Sequence, residues 1–148
     1  MNLLTLSMLL PLLGTAALAF VPKANVVLTK QIALATTVLV AAVGIYMSVK
    51  FDFNVKGFQF VESREWIPAF GISWTLGVDG ISATLIVMAA ILVPVVIVAG
   101  WWDAENSGRG SVKGFFALIL ALEVFIIGVF TANDLFLFYV FFEAMLFP

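Results

Sequence analysis

Near its C-terminus the sequence reads Asp134-Leu-Phe-Leu-Phe-Tyr-Val-Phe-Phe-Glu143-Ala-Met-Leu-Phe-Pro148, an apolar run with a carboxylate inside it. A charge at the centre of a bilayer costs at least about 2.5–3.5 kcal/mol on insertion scales, so charged residues at that depth are rare and commonly functional. In a soluble protein the same run would be a core helix with one unusual charge. The rest of the chain decides between these two interpretations.

The composition favours the membrane. Hydrophobic residues make up 64% of the 148 residues and charged residues 11%, and the mean hydropathy is +1.18. Because a soluble domain carries roughly a quarter charged residues, this chain lacks the polar surface to stay dissolved. The net charge of -2 gives no basic patch, so we expect no nucleic-acid partner.

The apolar segments predict an all-α integral membrane protein with no separate soluble domain. A signal peptide is the alternative for the first segment, but no basic residue precedes Lys23, which favours a retained helix. The fifth segment would reach only about 22–24 Å, short of the ~30 Å hydrocarbon core, so we expect a truncated helix and the N-terminal part of a longer protein. The five predicted transmembrane helices are residues 3–21, 31–49, 79–102, 113–130 and 133–148.

A short surface hairpin is predicted between the second and third helices. Residues 51–56 alternate apolar and polar side chains, Gly57 follows, and residues 58–60 resume the alternation. This period of two is typical of strands, with the turn at Lys56-Gly57. Trp66 and Trp74 beside it suit an aromatic belt at the membrane surface.

Basic residues give a weak indication of orientation. One side of the membrane would hold four of them and the other side three, and the cytoplasmic side carries the excess. We therefore expect the N-terminus outside the cytoplasm. The two groups are Lys23, Lys30, Arg109 and Lys113 on one side, and Lys50, Lys56 and Arg64 on the other.

The chain lacks the residues that redox cofactors need. It contains no cysteine and no histidine, which excludes the usual ligands of iron–sulfur clusters, haem and zinc. It also has no phosphate loop and no glycine-rich dinucleotide motif after a strand. We predict no metal or cofactor site, so another chain must supply any redox or nucleotide chemistry.

Two glutamates are the candidate site. Glu143 lies ~13 Å into the fifth helix, and Glu123 lies about as far back along the fourth, so both reach a similar depth near mid-membrane. Two facing carboxylates in a low dielectric cannot both ionise cheaply, which predicts at least one protonated group, as a proton relay requires. Tyr139, one turn before Glu143, could add a hydroxyl or simply pack. The alternative is a protonated glutamate that hydrogen-bonds between helices; for Glu123 both interpretations remain open.

The other carboxylates have simpler interpretations. Asp79 and Asp134 each precede a predicted helix and are expected to cap it. The following acidic residues are expected to be solvated loop charges: Glu62, Glu65, Asp103 and Glu105.

The fourth helix carries small residues on the face opposite Glu123. Small residues permit close helix approach, and the carboxylate needs protein rather than lipid around it. We therefore expect this helix to be buried on two sides. The small residues are Gly114, Ala117, Ala121 and Gly128.

Two stretches resemble a known family. Trp66-Ile-Pro-Ala-Phe-Gly71-Ile-Ser-Trp-Thr-Leu-Gly77-Val-Asp-Gly80-Ile-Ser resembles the start of the third helix in the antiporter-like, proton-translocating subunit M of bacterial NADH:quinone oxidoreductase (complex I). Ile127-Gly-Val-Phe-Thr-Ala-Asn-Asp134-Leu-Phe-Leu-Phe-Tyr-Val-Phe-Phe-Glu143-Ala-Met-Leu-Phe-Pro148 resembles the end of its fourth helix and its fifth helix. The resemblance extends over nearly the whole chain.

The resemblance implies a function and its partners. Glu143 would be the key carboxylate of an antiporter-like half-channel in a 14-helix subunit, paired with a lysine from further helices. The subunit would couple electron transfer from NADH to quinone to proton pumping in the bacterial plasma membrane. NADH, flavin, iron–sulfur clusters and quinone would bind partner subunits, and the other membrane subunits and the lipid bilayer would surround this chain. A multisubunit sodium/proton antiporter and a non-catalytic membrane scaffold remain the alternatives.

Overall fold

The computed structural model describes residues 3–108 and 110–147. The expectations for Arg109 and Pro148 lie outside these residues. The elements in chain order are α1 (Leu3–Phe20), α2 (Val26–Lys50), β1 (Gln59–Ile67), a 3₁₀ turn (Pro68–Phe70), β2 (Ile72–Val78), α3 (Gly80–Ala99), α4 (Asp103–Asn106), α5 (Val112–Thr131) and α6 (Leu135–Leu146).

The long helices confirm the predicted fold class. Within the described residues, α1, α2, α3 and α5 are each long and apolar enough to cross a bilayer. The 12 residues of α6 extend about 18 Å. Large apolar side chains remain exposed along all of these helices, as expected where lipid or other membrane helices replace water. The chain is an all-helical integral membrane protein with one small sheet.

The second helix begins earlier than the prediction of residue 31. Asn25 caps α2, and its side chain accepts a hydrogen bond from the backbone N–H of Leu28 at 3.2 Å. Asparagine is among the best N-cap residues because its oxygen satisfies an otherwise unpaired amide. Lys30 therefore lies inside the helix rather than before it, and its side chain is buried.

The predicted aspartate caps are confirmed. Asp79 accepts from the backbone N–H of Ser82 at 2.7 Å, at the start of α3. Asp134 accepts from the amides of Phe136 and Leu137, at the start of α6. These hydrogen bonds favour the charged carboxylates and hold the pKa of Asp79 and of Asp134 below the ordinary value of 3.8.

The hairpin exists, but the prediction of its strands and turn is wrong. The strands β1 and β2 pair antiparallel, and Pro68 and Gly71 form the turn between them, with Gly71 at a φ of +66°. The Trp66 and Trp74 rings pack edge to face across the strand pair, with their centres 6.2 Å apart. Residues 51–58 are not a strand, because Asp52 accepts from the Asn54 amide in a local turn.

Neighbouring helices pack antiparallel, so the bundle has two ends. The hairpin end carries β1 and β2, and the loop end carries α4. At the hairpin end, the amide of Asn133 after α5 donates to the Thr75 carbonyl of β2 at 2.8 Å. At the loop end, the Lys113 ammonium at the start of α5 donates to the carbonyls of Ala19 and Val21 after α1, at 2.8 and 2.9 Å. Thus α5 is tied to the sheet at one end of the bundle and to the C-terminal end of α1 at the other.

Buried side chains form two clusters. The hairpin-end cluster lies beneath the sheet and includes Leu4, Leu76, Val124, Ile127 and Phe141. The loop-end cluster consists of Leu18, Ala33, Ile97, Phe116 and Leu120. α5 contributes to both, since it packs against α1, α2, α3 and α6. The helix is buried on more than one side, as expected, although only Gly128 of the predicted small-residue face is fully buried and Gly114 is exposed.

Candidate functional site

Glu123 lies in the middle of α5 on its buried face. Along that face, Phe116 and Leu120 of the loop-end cluster precede it, and Val124 and Ile127 of the hairpin-end cluster follow it. The residue is 1% exposed. It therefore occupies the junction between two apolar clusters, far from either end of the bundle.

The carboxyl group of Glu123 has no partner in the described part of the chain. Both oxygens are buried, and neither makes a hydrogen bond there. An ionised carboxylate without a partner is very costly in apolar surroundings, so this packing favours the protonated carboxyl. The interpretation as a hydrogen bond between helices finds no support within residues 3–108 and 110–147. A buried group that can take up or release a proton is what a relay needs.

Glu143, in contrast to Glu123, lies on an exposed face of its helix. α6 packs on the bundle through Leu137 and Phe141, its buried residues, and the Phe141 ring covers Gly128 of α5. Glu143 follows Phe141 by two residues, a rotation of about 200° around the helix. Its side chain is consequently exposed and faces away from α5.

Tyr139 shares the outward face with Glu143. It lies one helical turn earlier and its side chain is 58% exposed. Residues four apart on a helix are neighbours on its surface, so the phenol and the carboxylate could bind the same group. No hydrogen bond joins them in the described structure, and the role of Tyr139 stays a prediction.

The two glutamates lie at equal depth but do not meet. Glu123 lies about 12 Å from the Thr131 end of α5, and Glu143 about 12 Å from the Leu135 end of α6. Glu123 faces the interior whereas Glu143 faces outward, so they do not form the facing pair that the sequence predicts. The similar distances follow from counting residues along each helix, and the predicted depth in the membrane stays a prediction. The rotation of each helix does not follow from counting, since the packing of Phe141 on Gly128 sets it.

Lys30 and Glu105 form an ion pair that was not predicted from the sequence. The expectation that Glu105 is a solvated loop charge is wrong. The Lys30 side chain is 3% exposed, and its ammonium lies 5.2 Å from the centre of the Trp101 ring and 5.0 Å from that of Trp102. The available signal was Asn25, since an N-cap there places Lys30 within the helix.

Glu62 is also a correction. This hairpin residue was expected to be solvated, but it is 7% exposed. Its carboxylate accepts from the backbone amides of Leu4 at 3.1 Å and Thr5 at 3.3 Å, and from the Thr5 hydroxyl. Those amides have no partner within α1, because they lie in its first turn. Glu62 therefore caps α1 from a distant part of the sequence, which local patterns do not predict.

Among the described residues, no group of three or more acidic side chains is placed to hold a metal ion. The structure places the Glu123 carboxyl group in the interior of the bundle and places Glu143 and Tyr139 together on an outward face.

Comparison with known proteins shows several relatives, although no protein-family model matches the chain. The chain is 37% identical to NADH-quinone oxidoreductase subunit M of Mycobacterium tuberculosis, over 95% of this chain and 30% of that protein. It is 40% identical to subunit M of Rhodobacter capsulatus, over 99% of this chain and 28% of the relative. It is 36% identical to NADH-ubiquinone oxidoreductase chain 4 of Arabidopsis thaliana, over 95% of this chain and 28% of that protein. The chain thus spans less than a third of the length of these relatives.

Proposed function

We propose, from the premise that this chain is homologous to part of NADH-quinone oxidoreductase subunit M, that it belongs to a proton-translocating membrane subunit of complex I. Electron transfer from NADH to quinone would take place in partner subunits, which would carry the flavin, iron–sulfur clusters and quinone. This chain would contribute protonatable groups within the membrane. Its site would be the bacterial plasma membrane, with the N-terminus outside the cytoplasm.

The observation that carries the proposal is the carboxyl group of Glu123, which is buried in the middle of α5 and has no partner among the described residues. A glutamate kept only to hold helices together should make a hydrogen bond, because burying an unsatisfied polar group costs about 1–3 kcal/mol. A relay residue instead keeps its carboxyl available for transient partners such as water. The orientation of Glu123 therefore favours proton transfer over the scaffold alternative.

The geometry supports a different role in proton transfer for each glutamate. Glu143 would exchange protons on the outward face of α6, where helices outside the described residues or water must cover it, since a carboxylate facing lipid is costly. Tyr139 would orient the shared hydrogen-bond partner. Glu123 would store a proton in the interior at the same depth. Because the carboxyl groups point apart, transfer between them needs a bridging group or water.

Glu143→Gln in the full-length protein, within its assembled complex, tests the proposal. Glutamine preserves the shape and hydrogen bonding but cannot bind a proton, so we expect NADH-driven proton pumping to fall by at least about tenfold. Pumping should be measured in vesicles with a pH-sensitive dye, beside the NADH:quinone activity and the amount of assembled complex.

Glu65→Gln is the matched control. It makes the same chemical change at an exposed carboxylate of β1, outside the membrane, and should leave pumping unchanged. Normal pumping in Glu143→Gln, with the complex assembled, would falsify the relay role of Glu143.

Infrared difference spectroscopy separates a relay from a scaffold at Glu123. A relay predicts a carboxyl C=O band that changes during turnover and disappears in Glu123→Gln. A band that stays constant in the active complex would support the scaffold instead.

A sodium/proton antiporter remains the second candidate, because the same carboxylates could serve ion exchange without redox coupling. It predicts proton movement that a sodium gradient drives without NADH. NADH-driven pumping in sodium-free vesicles would exclude it.

A further inference from the structure

An ion pair with a buried ammonium group lies at the loop end of the bundle. We call Lys30, Trp101, Trp102 and Glu105 the loop-end latch. Lys30 extends from the second turn of α2 into the bundle, where its side chain is 3% exposed, whereas Glu105 on α4 is 38% exposed. A buried ammonium needs a carboxylate or aromatic faces around it, and here α4 and the preceding turn provide both.

In the described part of the chain, α4 is held to the bundle by this ion pair and by the packing of Ala104 on the loop-end cluster. The backbone amides of Ala104, Glu105, Asn106 and Ser107 bond to carbonyls within residues 100–103. In the described part of the chain, the side-chain hydrogen bond from α4 to another helix is the one between Lys30 and Glu105. Separation of this pair would therefore remove the side-chain link between α4 and α2 and leave α4 held by the packing of Ala104, with its own turn intact.

The latch lies over the loop-end cluster and, beyond it, Glu123. Trp101 and Ala104 pack directly on that cluster. Phe116 and Leu120, both fully buried, are the α5 members of the cluster, and Glu123 follows Leu120 by about one turn. The loop-end cluster thus separates the unpartnered carboxyl group from the loop-end surface, and we call this cluster the apolar plug.

We propose that the loop-end latch controls the access of water to Glu123. While Lys30 and Glu105 are paired, Trp101 and α4 cover the apolar plug and exclude water from it. When the pair separates, α4 lifts, the loop-end cluster opens, and water reaches the carboxyl group from the loop end. The importance of this path for proton transfer rests on the proposed function; the access itself does not.

A cysteine introduced into residues 1–148, which contain none of their own, tests the access of water, and mass spectrometry of the peptide that carries it separates its reaction from that of cysteines elsewhere in the complex. Leu120→Cys would place a thiol within the plug, between the latch and Glu123. In the full-length protein within its complex, reaction with a small water-soluble thiosulfonate should be slow. Adding Glu105→Gln should speed the reaction at least about tenfold, because breaking a buried pair leaves the cation uncompensated.

Asp103→Asn is the matched control, since it removes a neighbouring charge on α4 that makes no side-chain hydrogen bond in the described structure; it should leave the rate unchanged. Equal rates with and without Glu105→Gln would overturn the proposal, and so would an equally large effect of Asp103→Asn.

The result is independent of pumping. If Glu143→Gln pumps normally while the cysteine reacts as stated, the proposed relay fails and the latch stands. If pumping depends on Glu143 but the cysteine rate ignores Glu105, the latch fails and the relay stands.

Discussion

At the residue scale, a single glycine decides which way Glu143 points. A Cβ atom at Gly128 would lie 2.6 Å from two atoms of the Phe141 ring, closer than any real contact of this kind. The ring therefore lies directly against the α5 backbone at Gly128, and this packing fixes the rotation of α6 about its axis. Glu143, two residues further on, faces outward as a result.

Gly128→Ala should weaken the packing of α6 on α5. The added methyl group forces the Phe141 ring to move, and overpacking of this kind costs about 1–3 kcal/mol. Thermal unfolding of the purified full-length protein in lipid nanodiscs should show a lower midpoint. Gly114→Ala is the control on the same helix, because its nearest neighbour would be the Ser111 side chain at 3.8 Å.

In the Gly128→Ala background, Phe141→Leu should recover part of the lost stability by making room for the methyl group. An unchanged midpoint in Gly128→Ala would show that this contact does not determine the packing of α6.

At the scale of elements, a charged side chain from the hairpin completes α1. Glu62 of β1 accepts from the Leu4 and Thr5 amides in the first turn of this helix. This bond links the start of the chain to the sheet some 58 residues later. The hairpin is thereby fastened to the bundle through a helix terminus, where a negative charge is also favoured by the helix dipole.

Glu62→Ala should loosen the first turn of α1. Losing a cap costs about 1 kcal/mol, so the Leu4 and Thr5 amides should exchange hydrogen for deuterium several times faster. Mass spectrometry of a peptide that covers them gives the measurement. Glu65→Ala, an exposed carboxylate on the same strand, should leave that exchange unchanged; equal acceleration in both variants would argue against the cap.

At the scale of the whole molecule, the fold separates two ends that should face opposite sides of the membrane. The hairpin and the start of α1 lie at one end, whereas Lys30, α4 and the start of α5 lie at the other. The excess of basic residues predicts that the loop end is cytoplasmic, although four residues against three is a small difference.

Single cysteines test this arrangement. Val55→Cys at the hairpin end and Ser107→Cys at the loop end both replace exposed residues. A membrane-impermeant maleimide should label the first from outside intact cells and the second only in inverted vesicles. Labelling of both from one side would contradict the fold, whereas a complete reversal would contradict only the orientation.

Regular patterns in the sequence predicted much of this fold. Apolar length indicated the membrane helices, and Asp79 and Asp134 indicated two helix starts. The turn of the hairpin was placed wrongly, because Phe51-Asp-Phe-Asn alternates like a strand but Asp52 closes a local turn. The start of α2 was also missed, although Asn25 is a strong local signal.

The sequence by itself determined that the chain crosses a membrane, that it has no cysteine or histidine ligands, and that Glu123 and Glu143 lie at similar depth. These properties follow from composition and from the fixed rise of a helix. Only the tertiary structure decided that Glu123 is buried without a partner among the described residues, that Glu143 faces outward, and that Lys30 pairs with Glu105. The reason is physical: the direction of a side chain depends on the rotation of each helix against its neighbours, and contacts distant in sequence set that rotation.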